Sequence, residues 1–310
     1  MKPFSAIANA INLSKNFSTI IHPNTTSVNT PPNPLFKVHL GTRMNTKTLS
    51  PHALSVIEHY THFKVGSATC SIPYFNNKTT KTRGGLRVRI GKGSPKEILE
   101  EVETILVKMH VDTNTLSAET LKKLLTDENI GIDCSGFAYY VLNAQLQEDG
   151  KGALDKHISF VNCHGILGKI RAKLRPVENC DVATLSHDRN STVVPLKETQ
   201  PGDIITMITP PSDSDTSSST PTQRNERDHI LVIHQVEYQN FSAYKIHYTQ
   251  AVAYPEDGVY GTGIKQGTIE IHDHTKPLTE ALWTENGVQG SSNRILIRAQ
   301  KMKTEVRRIR

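Results

Sequence analysis

The stretch GIDCSGFAYY, residues 131–140, places an acid, a thiol, a hydroxyl and a glycine directly before an apolar run. The apolar residues that follow recur at helical spacing: Ala138, Val141, Leu142 and Leu146. Asp133 and Ser135 are residue types that favour the first turn of a helix. The pattern therefore predicts that Cys134 lies at a helix N-terminus.

That position has a chemical consequence. The N–H groups at a helix start carry a partial positive charge, which stabilises a thiolate, so we expect a lowered pKa for Cys134. A thiolate that attacks an acyl carbon also needs an imidazole to move protons and a third group to orient it. Of the fourteen histidines, His229 begins the strand-like run HILVIHQV, where its side chain can meet a helix end.

Bulk composition limits the classes of partner. No run approaches the roughly 20 apolar residues that span a membrane. The net charge of +6 favours anionic surroundings, but no motif indicates specific nucleic-acid binding. No Cys-x-x-Cys pair occurs, and we predict neither a metal nor another cofactor. The less favoured alternative is a metal site built from Cys163, His164, Cys180 and His187.

The chain divides into a leader, a domain and a tail. Residues 1–50 are predicted to be a poorly ordered leader, because they are rich in Pro, Asn and Thr. The first twenty residues are too polar for a secretory signal, which makes the cytoplasm the default location. Residues 51–300 are predicted to form one domain with a flexible insertion at 209–228, and residues 301–310 a basic tail.

Within the domain, helical patterns precede strand patterns. Ser94, Pro95 and Glu97 form a capping-box pattern, a second helix begins at Ser117, and LRVRI reads as a strand. GKGS before the first helix is interpreted as a helix-entry turn rather than a phosphate loop. Strands are predicted in PGDIITMI, HILVIHQVEY, AYKIHYTQAVAY and GTIEIHD. This order indicates an α+β fold.

Over roughly residues 125–255 the chain resembles the NlpC-type cysteine peptidases of the papain-like clan. The matching motifs are DCSGF at 133–137, Gly202 with Asp203 before a strand, and His229 at the start of the next strand. The resemblance implies a papain-like core with helices packed on a central antiparallel sheet. It also implies a peptide or peptidoglycan-like substrate, the family's usual target being a bacterial cell-wall peptide.

The resemblance assigns roles to individual residues. It makes Cys134 the nucleophile and His229 the general base, with Asp133 and Ser135 supporting the first turn and the oxyanion site. The orienting residue is expected on the strand after His229, where we favour His247 and keep Gln250 as the alternative. The family also places a tyrosine near the oxyanion, for which Tyr74 is the nearby candidate.

The expected function is a thiol hydrolase that cleaves an amide or peptide bond through an acyl-enzyme. Two alternatives use the same residues. An acyltransferase or transglutaminase-like enzyme would pass the acyl group to an amine instead of water. A non-catalytic descendant of the fold would hold a peptide in the cleft without cleaving it.

Overall fold

The computed structural model describes residues 43–76, 86–210 and 228–310. They belong to one compact unit, Thr42–Arg310. Its α-helices are α1 (Pro51–Thr61), α2 (Pro95–Lys108), α3 (Ala118–Asp127), α4 (Cys134–Glu148), α5 (Gly165–Leu174), α6 (Pro176–Asn179), α7 (Val182–Ser186) and α8 (Arg294–Gln300). In the part of the chain that the structure describes, no helix has the length and apolar character needed to cross a membrane.

The strands are β1 (Met44–Thr48), β2 (Phe63–Val65), β3 (Ala68–Cys70), β4 (Ser191–Val193), β5 (Ile204–Ile208), β6 (His229–Gln239), β7 (Ser242–Val252), β8 (Gly263–Glu270), β9 (Leu282–Glu285), β10 (Val288–Gln289) and β11 (Lys303–Ile309). Strands β2 and β3 form a separate hairpin. The other nine form one sheet in the order β10-β9-β8-β7-β6-β5-β11-β4, with β1 beside the second half of β6. The α+β prediction is confirmed.

The helix starts follow the residues that the sequence indicated. Ser94 and Glu97 form the expected capping box of α2. Ser117 caps α3 by accepting the N–H of Thr120. Gly91 ends a short 3-10 helix in the left-handed region, so GKGS is a helix-entry turn. The strand expected in LRVRI was wrong: Arg87–Ile90 is that 3-10 helix, whose two arginines are held by carboxylates of Glu97, Glu101, Glu128 and Glu178.

The chain's last residues are not a tail. Lys303–Ile309 forms β11, which pairs antiparallel with β5 on one side and β4 on the other. The basic side chains suggested exposure, but Arg307 is buried against Ser191 and Glu305. Arg308 donates two hydrogen bonds, of 2.7 and 2.8 Å, to the buried carboxylate of Asp203. Their charges are thus neutralised inside the sheet.

The structure describes only part of the predicted leader and only the ends of the predicted insertion. The last residues of the predicted leader form β1 and the Ser50 cap of α1, so this part of the predicted leader belongs to the folded domain. The rest of the leader lies outside the described residues, as does the insertion between residues 211 and 227.

Two apolar cores lie on the two faces of the large sheet. One core packs α1 to α4 against residues such as Ile230 and Val232 of β6. The other packs Leu231 and Ile233 against Tyr248 and Trp283. Because side chains alternate along a strand, His229 lies on the face of Leu231, while Ile230 faces the core that includes α4. The N-terminus of α4 meets the sheet at this end of β6.

Candidate active site

Cys134 is the first residue of α4, as predicted. The helix start is fixed by Asp133, whose Oδ1 accepts the N–H of Gly136 at 2.6 Å. Gly136 packs against the backbone of Gly91, the residue that ends the 3-10 helix. A Cβ at position 136 would lie only 2.9 Å from the Gly91 carbonyl oxygen. The N–H of Ile230 is directed to the Cys134 thiol and acts to lower its pKa. The DCSGF segment therefore directs the thiol to the start of β6.

A buried lysine holds the residues on both sides of the thiol. Lys92 Nζ lies 2.9 Å from Asp133 Oδ1, 2.6 Å from Ser135 Oγ and 2.9 Å from the Cys180 carbonyl oxygen. These three bonds use all three ammonium donors. Ser135 also donates to Asp133 Oδ1 at 3.1 Å. Asp133 and Ser135 thus support the first turn as expected, but through a lysine that no sequence motif indicated.

The expectation of a lowered thiol pKa was wrong. Burial raises the pKa of Cys134 to about 11, and the neighbouring Asp133 carboxylate adds to the rise. Arg298, Lys92 and the Ile230 N–H oppose it without overcoming it. Cys134 is only 6% exposed, so loss of hydration is the dominant effect on the pKa of its thiol. Cys134 is therefore a neutral thiol at pH 7.

His229 is oriented by Gln250. Its Nε2 lies 2.6 Å from Gln250 Oε1, and both side chains are buried. An amide oxygen can only accept, so Nε2 carries the proton and Nδ1 keeps a lone pair. Burial first, and then the charge of Arg298, lowers the pKa of His229 well below its usual value. The ring is therefore neutral, with Nδ1 able to act as a base.

The amide of Gln250 is itself held in place. Its Nε2 donates to the Tyr254 hydroxyl at 3.1 Å and to a Glu285 carboxylate oxygen. Tyr254 donates to the other Glu285 oxygen at 2.7 Å, and Tyr248 also donates to Glu285. These contacts define which end of the amide faces His229. Neither Glu285 nor Tyr254 carried a signal in the sequence, because both lie in strands or loops without a recognisable motif.

His247, the favoured orienting residue, lies elsewhere. Its Nε2 is 2.6 Å from Glu237 Oε1, and its ring packs edge-on against His234. Strand alternation puts Gln250 and His247 on opposite faces of β7, and Gln250 shares a face with Tyr248. Of the two candidates for the orienting role, only Gln250 is in contact with His229.

Cys134 lies on the α4 face of the sheet at the start of β6, whereas His229, the first residue of β6, lies on the opposite face. The thiol contacts Ile230, which follows His229 in the chain, and Arg298 acts electrostatically on both groups. The described residues include no hydrogen bond between the Cys134 sulfur and the imidazole.

Tyr74 lies beside the thiol. Its segment runs next to Ile132, two residues before Cys134, with a hydrogen bond of 3.2 Å from the Phe75 N–H to the Ile132 carbonyl. Its hydroxyl accepts from Asn76 at 3.3 Å, which leaves the hydroxyl proton available. Burial raises the pKa of Tyr74, and the proximity of Cys134 raises it further, so the phenol stays protonated.

Two cavities open beside these residues and share Asn76. One, of about 370 Å³, is lined by Cys134, Ser135 and Asp228 together with the loop around Cys163 and Cys180. The other, of about 530 Å³, is lined by His229, Tyr74 and Arg298. The thiol and the imidazole thus each line a cavity that has room for part of a ligand.

The alternative metal site does not form. Cys180 is buried, and its carbonyl oxygen accepts a hydrogen bond from Lys92 Nζ. The Cys163 thiol donates to Asn179 Oδ1 at 3.6 Å. His187 Nδ1 accepts a backbone N–H. Across residues 43–76, 86–210 and 228–310, no group of three or more His, Cys, Asp or Glu side chains has metal-binding geometry.

Neither a scan against protein-family models nor searches of curated proteins and of solved structures found a match to this chain.

Proposed function

We propose that this protein is a thiol hydrolase with a papain-like core of the NlpC type, which cleaves an amide or peptide bond through an acyl-enzyme at Cys134. The observation that supports the proposal is the orientation of His229: its Nε2–H is bound by Gln250, and the next residue of β6, Ile230, has its N–H directed to the Cys134 thiol. A nucleophile, a base and an orienting amide are the parts that such a reaction needs.

The first half of the reaction starts from neutral groups. His229 Nδ1 removes the thiol proton as the Cys134 sulfur bonds to the carbonyl carbon of the substrate. The backbone N–H of Cys134, one of the helix-start donors without an intrahelical acceptor, binds the oxyanion together with the Tyr74 hydroxyl, which is close enough to the thiol to interact with it electrostatically. The imidazolium returns its proton to the amine nitrogen as the carbon–nitrogen bond breaks, which leaves a thioester.

The second half reverses the proton transfers. His229 removes a proton from water as the water oxygen bonds to the thioester carbon. The carbon–sulfur bond then breaks, the acid product leaves, and the imidazolium returns its proton to the sulfur. Glu285 acts here as a positioning residue, since it touches Gln250 and not the reacting atoms.

A panel of peptides and cell-wall muropeptides tests this proposal, with products identified by mass spectrometry. Cys134→Ala should abolish turnover, and Cys163→Ala, which changes a thiol lining the same cavity, should leave it unchanged. An electrophilic peptide probe should form its adduct on Cys134. Equal turnover by wild type and Cys134→Ala would refute the mechanism.

A peptide-binding protein without catalysis is the second candidate. It is favoured by one observation, the burial that raises the pKa of the Cys134 thiol to about 11. The same panel separates the two functions. A binding protein would retain a peptide in calorimetry, with equal affinity in wild type and Cys134→Ala, and would release no product.

A further inference from the structure

Helix α5 (Gly165–Leu174) presents an unusual surface. Four large apolar side chains on it are exposed: Ile166 (79%), Leu167 (83%), Ile170 (49%) and Leu174 (73%). At 3.6 residues per turn these positions fall within an arc of about 100°. The buried residue of the helix, Ala172, lies opposite this arc. The apolar face is therefore turned away from the protein.

Cations flank the arc on both sides. Lys169 and Lys173 lie along one edge, and Arg171 lies along the other with Arg175 just past the helix end. All four are exposed, and none forms an ion pair with another described residue. No acidic residue occurs between Cys163 and Val177. This face of α5 therefore carries an apolar stripe bordered by cations, with no acidic residue in the same segment.

We propose that α5 binds an anionic lipid bilayer, lying parallel to its surface with Ile166, Leu167, Ile170 and Leu174 inserted among the acyl chains. Helices that lie in a membrane interface have this pattern: an apolar stripe that enters the boundary region, with lysines and arginines that reach the lipid phosphates. Long basic side chains bury their methylene groups while their charges stay at the surface.

The two alternative occupants fit the surface less well. A protein partner that covered the arc would meet four cations around a narrow stripe and would need matching carboxylates. A second copy of the same helix would place these cations against each other. A bilayer that contains anionic headgroups supplies both the apolar layer and the negative charge.

The location links this surface to the candidate active site. The chain enters α5 from Cys163 and soon after it reaches Cys180, and both line the cavity that Cys134 also lines. A bilayer bound at α5 therefore holds this cavity close to the membrane surface. The lipid-binding proposal does not depend on the hydrolase proposal, because it rests on exposure and charge alone.

Flotation with lipid vesicles tests the proposal on the full-length chain. The wild type should float with vesicles of phosphatidylcholine that contain phosphatidylglycerol, should remain with the unbound fraction when only phosphatidylcholine is present, and should dissociate at high salt. The Leu167→Glu/Leu174→Glu variant should lose at least about tenfold in partition coefficient. Each of Lys169→Gln and Lys173→Gln should lose about fivefold.

Val107→Glu is the matched control, because Val107 is an exposed apolar residue on α2 and should not affect binding. Unchanged melting temperatures will show that the variants remain folded. No binding to anionic vesicles, equal binding to neutral vesicles, or undiminished binding of the double leucine variant would overturn the proposal. So would a dimer in light scattering that the double variant dissociates, since a second copy would then cover the arc.

Discussion

Gln250 Oε1 accepts the Nε2–H of His229 at 2.6 Å, and this bond decides which ring nitrogen can act as a base. With Nε2 occupied as a donor, only Nδ1 has a free lone pair. The amide is fixed in turn by Tyr254 and Glu285, so residues of β7, β9 and the turn after β7 determine the proton position on His229.

Substitutions at β7 will distinguish Gln250 from His247. We expect Gln250→Ala to lower turnover by at least about tenfold, because the imidazole loses its orienting acceptor. His247→Ala should leave turnover unchanged, since His247 bonds to Glu237. Turnover and melting temperature measured on both variants test this expectation. If His247→Ala impairs turnover and Gln250→Ala does not, the assignment is wrong.

Glu285 should influence catalysis without touching the substrate. Glu285→Ala removes the acceptor for Gln250, Tyr248 and Tyr254, so the amide loses the contacts that hold its oxygen toward His229. We expect kcat to fall by about tenfold or more while KM changes little. Glu285→Gln should restore part of the loss, because its amide oxygen can accept from Gln250. An effect on KM alone would argue against positioning.

The Cys134 thiol should titrate late. Burial raises its pKa to about 11, so alkylation by iodoacetamide should be slow at pH 7 and rise steeply above pH 9. Asp133→Asn should move the rise to lower pH, because the Asp133 carboxylate is the second cause of the shift and asparagine still caps the helix. Peptide-resolved mass spectrometry will separate Cys134 from the other cysteines. An unshifted or upward-shifted profile in Asp133→Asn would contradict this electrostatic account.

Two histidines, the buried His229 and the half-buried His234, should weaken the fold in mild acid. Burial is the largest cause of the lowered pKa at His229 and at His234, where the value is about 4. The unfolded chain therefore binds more protons below the usual histidine pKa of about 6.5, and stability falls as the pH drops from there. For His234 the loss continues to about pH 4.

Chemical denaturation across this range measures the effect. His234→Asn should remove a slope of up to about 1.4 kcal/mol per pH unit relative to wild type. His59→Asn, at an exposed position of α1, is the matched control variant. If stability depends on pH with the same slope in wild type and in His234→Asn, the folded and unfolded chains bind a proton at His234 equally. That result would contradict the prediction.

Strand β11 should be indispensable for folding. Deleting residues 301–310 removes a strand between β4 and β5 and leaves the buried Asp203 carboxylate without Arg308. We expect the truncated chain to lack a cooperative melting transition. Arg308→Met should fold but lose roughly 2 kcal/mol, the scale of hydrogen bonds to a charged group. A truncated chain with a wild-type melting curve would restore the interpretation of these residues as a tail.

The sequence predicted local features better than distant ones. The helix starts near Ser94, Ser117 and Asp133 depend on residues a few positions apart, and all three helices were found where expected. The contacts of Lys92 with Asp133 and of Gln250 with Glu285 join residues 41 and 35 positions apart. No spacing rule reaches that far, so these contacts could not be predicted.

The thiol pKa and the end of the chain show two further limits. Position at a helix N-terminus suggested a stabilised thiolate, but the sequence does not show how completely a side chain is desolvated. The basic residues of β11 suggested a solvent-exposed segment. Their carboxylate partners Asp203 and Glu305 are recognisable as partners only once the sheet is formed.

The position of β11 in the sheet also constrains how the protein is made. Helix α4, β6 and β7 all leave the ribosome before residues 303–309, which insert between β4 and β5. A nascent chain that already contains Cys134, His229 and Gln250 therefore has an open sheet edge at β5. During that interval β5 can pair with a foreign strand, so synthesis that stalls before residue 303 should leave a product prone to aggregation rather than a shorter working protein.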